Sequence, residues 1–188
     1  MLLAGIAFLY RTILNAALDV VNWLRLTPKD NNPRGKIIAR LWALLGKIKG
    51  EKYDGMVIVA HSQGTVIVVE FLRYLELINE RQRLTNPINL FTVGCPLRHL
   101  YNRRFPDVYS WVGYKPNEAK EKLNPPEGVV KWLNGYTTGD YIGRNLWTPD
   151  EERDNGSNKP RVIGDNRQEI CLGAGAFSDY FGCWSACH

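Results

Sequence analysis

The 188-residue chain lacks internal repeats, blocks of like charge and any Lys/Arg cluster interleaved with aromatics. Its formal charge of +5 and pI of about 9.0 are therefore a mild surplus spread along the sequence. Such a surplus favours solubility and tolerates an anionic surface, but it does not make a dedicated nucleic-acid site. Histidine is scarce: only His61, His99 and His188 are available for imidazole chemistry. Cysteine is scarce too, and beside Cys95 the other three, Cys171, Cys183 and Cys187, crowd the last eighteen residues. Those three with His188 would suffice for zinc on paper, and export would allow a disulfide in the tail. Free thiols in a cytosolic protein are the simpler account, so neither metal nor cofactor is expected.

A long uninterrupted apolar run is also missing. The first 24 residues are apolar, yet Arg11, Asn15 and Asp19 break them up, with no basic leader and no small-residue cleavage pattern. An amphipathic helix fits better, packed on a sheet or lying on a membrane surface as a peripheral contact.

What is present is enough apolar material for one core, 45% hydrophobic and 11% aromatic, in a chain of single-domain length. After a Pro/Asn/Gly-rich loop at 27–35, Ile37, Ile38, Leu41, Leu44, Leu45 and Ile48 recur at helical spacing and predict a helix over about 34–49. Met56 to Ala60 is a short β-branched run without alternation, as expected of a strand buried on both faces of a parallel sheet. Helical periodicity returns over 65–79, and further buried strands are expected at 88–93, 129–133 and around 169–172. The stretches 101–126 and 148–160 read as a surface excursion and a polar loop. This order predicts one α/β domain over 1–188, a three-layer α/β/α arrangement with a mostly parallel sheet of about four strands. Its core would run from residue 33, with 1–30 as the N-terminal helix.

The sharpest chemical signal is VIVAHSQGT at 57–65. A serine hydroxyl needs a base and a backbone that lifts it into reach, which a tight strand-to-helix turn provides when small residues stand two positions either side. Ala60 and Gly64 meet that need around Ser62, one methyl away from G-x-S-x-G. The helix that follows aims free N–H groups and its positive end at an oxyanion, and the Gln63 amide would be one donor. The plainer alternative makes Ser62 an ordinary helix N-cap. His61 is adjacent to Ser62, where side chains diverge, and is expected to pack or orient the turn.

The run AHSQGT, followed by VGCPLRHLY and WLNGYTTGDYIG, resembles the α/β-hydrolase superfamily, in particular lipase-like or esterase-like members. The resemblance covers about 33–180 and is most specific at the elbow. It implies a serine carboxylic-ester hydrolase acting on a small-molecule ester or lipid through an acyl-enzyme, without a cofactor. It maps the acid of the triad onto Asp140, which as a TTGD residue could equally be a turn former. Its base is expected after the final strand, but Phe177 stands at that position in GAFSDYF, leaving His188 as the candidate that preserves the order Ser, Asp, His. His99 is the remaining candidate. Members also carry several strands before the elbow, so the chain reads as a reduced version or as the C-terminal portion of a larger protein. An exposed sheet edge then predicts a homo-oligomer. Tyr101, Phe105, Tyr109, Trp111 and Tyr114 could cap an acyl chain or close the core. If the triad is broken, the alternative is a catalytically impaired binding or assembly module.

Overall fold

A computed structural model of the chain describes residues 17–25, 32–49, 51, 53–80, 86–113, 123–148 and 160–174. Contacts divide the chain into two compact units, Met1–Gly50 and Glu51–His188. The boundary falls after the helix over Pro33–Lys49.

In the first unit residues 17–24 are helical (α1), and Val20 and Trp23 are buried. The longer helix α2, Pro33–Lys49, starts as its sequence dictates. Asn32 Oδ1 accepts the Gly35 amide at 2.8 Å while Pro33 occupies the first helical position, where its missing N–H costs nothing. Lys47 and Lys49 complement the dipole in the last turn, and the Arg34 guanidinium lies 4.9 Å from the Trp23 ring centre. None of the described residues forms a helix long and apolar enough to cross a membrane.

The second unit is an α/β fold built on a mostly parallel five-stranded sheet. The strands are β1 (Met56–His61), β2 (Ile88–Val93), β3 (Val129–Tyr136), β4 (Arg161–Gly164) and β5 (Arg167–Cys171), in the order β1-β2-β3-β5-β4. β1, β2, β3 and β5 run parallel, as the unalternated apolar runs predict, and α3 (Gln63–Leu77) links β1 to β2. β4 was not anticipated: it pairs antiparallel with β5 through a two-residue Asp165-Asn166 turn, a favoured hairpin connection.

One expectation about burial fails. Thr92, Leu90, Trp132, Asn134 and Glu169 on one face of the sheet are fully buried, whereas Val57 and Val59 on the other are 68% and 67% exposed. Because β1 exposes Val57 and Val59, the apolar stripe of α3, with Val66, Val69, Leu72 and Leu75 buried, packs on the opposite face. β1 is therefore not buried on both faces, and a second helical layer is not seen among the described residues of this unit. An unalternated run reports apolarity; whether anything covers it depends on other segments.

Candidate active site

Parallel strands deliver their carboxyl ends to one edge, and there the chain leaves β1 at Ser62, β2 at Gly94, β3 at Thr137 and β5 at Leu172. Ser62 has φ 51° and ψ −126°, a left-handed backbone that side chains other than glycine rarely adopt. It stands where an N-cap would, but its side chain makes no capping hydrogen bond. The plain N-cap account therefore does not describe it. The strained conformation is pinned from both sides. Ser62 N–H donates to Val93 O at 3.0 Å, and Ser62 O accepts both the Thr65 amide at 3.0 Å and the Thr65 hydroxyl at 2.6 Å.

The neighbours of the turn differ from expectation in one respect. Ala60 is buried, as a small residue under the turn should be, but a Cβ added at Gly64 would meet nothing within 4 Å. The requirement for a small residue is thus visible before Ser62 and not after it. Gln63 opens α3, so its main-chain N–H has no intrahelical acceptor and points out of the helix N-terminus, as an oxyanion donor must. Its side-chain Oε1 accepts the Tyr101 hydroxyl at 2.6 Å.

Asp140 lies at the same edge and is 1% exposed. Its Oδ1 accepts the amides of Ile142 and Gly143 at 2.8 and 2.9 Å, so the carboxylate does organise a turn. The turn pushes Tyr141 out to 84% exposure and presses Gly143 against the neighbouring strand end, where an added Cβ would come within 2.3 Å of the Gly94 carbonyl. Asp140 is also an electrostatic neighbour of His61. Burial lowers the pKa of the His61 imidazole from its ordinary value, and the Asp140 carboxylate partly offsets that. The structure thus brings Ser62, His61, Gln63 and Asp140 together.

The other imidazoles fall elsewhere. His99 Nε2 donates to Asn145 O at 3.2 Å, which ties this ring nitrogen to the 144–148 loop. His188, with Phe177, Cys183 and Cys187, lies outside the described residues. So does Tyr114. Tyr101 and Tyr109 are fully buried with their rings edge to face at 4.8 Å, which makes them core and not an open cap. The Trp111 ring carries the Arg73 guanidinium 4.1 Å from its centre. Cys95 is buried and its thiol is pushed up to about 12 by desolvation, with Thr65 Oγ1 3.1 Å from the sulfur. Such a thiol stays protonated and unreactive at neutral pH. No cluster of His, Cys, Asp or Glu among the described residues could hold a metal ion.

Sequence reasoning missed the framework behind the site. Glu169, sealed within β5, accepts four hydrogen bonds: Asn134 Nδ2 at 3.0 Å, Leu146 N, Thr148 N at 2.9 Å and Thr148 Oγ1 at 2.8 Å. Asn134 in turn accepts from Thr92 Oγ1, and Thr92 accepts from Trp132 Nε1, both at 2.9 Å. Arg98, also buried, donates to Thr148 O at 2.6 Å. These bonds fasten the 144–148 loop, which continues from Asp140, to the sheet. The available signal was a carboxylate set between Gln168 and Ile170 in a strand otherwise expected to be buried. Comparison with protein-family models, with curated proteins and with solved structures finds no match to the chain in any of the three.

Proposed function

We propose that the protein is a serine hydrolase of carboxylic esters, α/β-hydrolase-like, with Ser62 as the nucleophile. The observation that carries this reading is the strained backbone of Ser62 at a strand-to-helix turn, with a side chain that does not serve the helix as a cap. Strain of this kind costs about 1–3 kcal/mol and persists where surrounding bonds enforce it. Here the Val93 and Thr65 contacts do so.

In the proposed reaction Ser62 Oγ bonds to the ester carbonyl carbon while its proton passes to an imidazole, assigned to His188. The carbonyl π electrons move to oxygen, and the oxyanion is held by the Gln63 main-chain amide. Collapse expels the alcohol, which takes the proton back, and water then repeats the sequence on the acyl-enzyme. Asp140 steadies the imidazolium. One oxyanion donor is worth about 3 kcal/mol, so a site with a single donor turns over slowly. The position of β1 at the sheet edge, with Val57 and Val59 exposed, supports a homo-oligomer, and Leu18 and Val21, exposed on α1, support peripheral membrane contact.

The test is covalent labelling with a fluorophosphonate, located by peptide mass, together with nitrophenyl-ester hydrolysis. The expected result is an adduct on Ser62 that disappears in Ser62→Ala, and ester turnover that is lost in both Ser62→Ala and His188→Ala. An unlabelled wild-type chain would leave the binding or assembly module as the better account.

A further inference from the structure

We propose that Tyr101 is a positioning residue for the oxyanion amide of Gln63, an inference that rests on the serine-hydrolase reading. The segment after β2 is a π-helical turn, Leu97–Asn102, with the amides of Leu100 and Tyr101 both directed at Pro96 O. Wider turns of this type recur at functional sites because the additional residue re-aims side chains. Here Arg98 and His99 reach the carbonyls of Asn145 and Thr148 on the Asp140 side, while Tyr101 reaches Gln63 on the elbow side. One short segment therefore touches both halves of the site.

The contact itself is specific. The Tyr101 side chain is fully buried, and its hydroxyl donates to Gln63 Oε1 at 2.6 Å, a well-formed O–H···O bond. The other end of the same carboxamide, Nε2, is buried without a hydrogen-bond partner among the described residues. A buried orphan donor is costly, so the amide of Gln63 does not hold its position for the sake of Nε2. The rotamer is set by the bond from Tyr101. Because Gln63 is the first residue of α3, the bond from Tyr101 tethers the start of that helix, and with it the residue that carries the oxyanion amide, to the segment after β2. Thr65 secures the Ser62 carbonyl from within the helix, and Tyr101 secures the next residue from outside it. The two bonds together hold nucleophile and oxyanion donor in one geometry.

The experiment measures the second-order rate of Ser62 labelling by a fluorophosphonate, with kcat and KM for a nitrophenyl ester, in Tyr101→Phe, Gln63→Met and the double variant. A misplaced donor should lower labelling rate and kcat about 10- to 100-fold with KM unchanged. The double variant should be no slower than either single one, because both remove the same bond. Tyr109→Phe, a buried tyrosine in the same aromatic pair, is the control and should keep the wild-type rate. A labelled wild type with Tyr101→Phe at full rate overturns the positioning role alone. So does a Tyr101→Phe loss no larger than that of Tyr109→Phe, or losses that add in the double variant. An unlabelled wild type removes the hydrolase reading, and the positioning role with it.

Discussion

Along β2 and β3 the side chains on one side, Leu90, Thr92, Trp132 and Asn134, are sealed from water, while on the other side Asn89 and Lys131 are exposed and Phe91 and Leu133 half-buried. The register makes the contrast concrete. Val59, Phe91, Leu133, Gln168 and Val162 form a row across the whole open face, with exposed valines at both ends. The sealed face mixes a large aromatic, Trp132, edge to face with Trp147 at 5.1 Å, with a connected polar chain ending at Glu169. A buried carboxylate is tolerable only because its oxygens are satisfied, and the satisfied network specifies where the 144–148 loop must lie. Order at the site thus comes from the closed side of the sheet, and the open side contributes little to it.

Five substitutions, in three tests, break or sharpen this contrast. The largest effect belongs to the closed face. Trp132→Ala should cost about 4 kcal/mol through cavity and lost indole bond, whereas Val59→Thr on the open face should stay within about 0.5 kcal/mol. Urea unfolding followed by circular dichroism measures both, and comparable losses would mean that the open face is covered. Next come two glycines at the carboxyl edge. Gly143→Ala forces a methyl onto the Gly94 carbonyl and should cost about 2 kcal/mol, while Gly64→Ala enters open space in a helix and should gain about 0.5 kcal/mol. Thermal unfolding separates the two signs.

The smallest effect concerns His61, whose pKa in the folded chain is lowered chiefly by burial. Above the ordinary histidine value of about 6.5 it is neutral in both states and contributes no pH dependence. As pH falls through that value the unfolded chain takes up the proton first, so folded stability declines toward acid. His61→Gln should flatten the urea midpoint between pH 7 and pH 5 relative to wild type, and an unchanged slope would contradict a desolvated imidazole.

Part of this was legible in the linear sequence. The unalternated runs at 56–60, 88–93 and 129–133 gave parallel strands, and the Ile/Leu stripe gave α2 within one residue of its start. Small-residue spacing around Ser62 pointed to a turn whose serine backbone is indeed left-handed. The β4–β5 hairpin carries a turn signal in Asp165-Asn166, but the sequence pattern predicts only the one strand around 169–172. For Tyr101 the pattern leaves cap and core open because it reports apolarity alone, while its hydroxyl partner lies 38 residues away in sequence. His61 and Asp140 became neighbours only through the order of β1, β2 and β3.

By itself, the sequence determined α2, α3, the four parallel strands and where a serine leaves a strand for a helix, because those depend on periodicity and on side-chain volume within a few residues. Tertiary structure decided which face of the sheet is sealed, that Glu169 fastens the loop beyond Asp140, and that Tyr101 meets Gln63. Each of those needs strands far apart in sequence to be set side by side, and no local pattern encodes a distance of that kind.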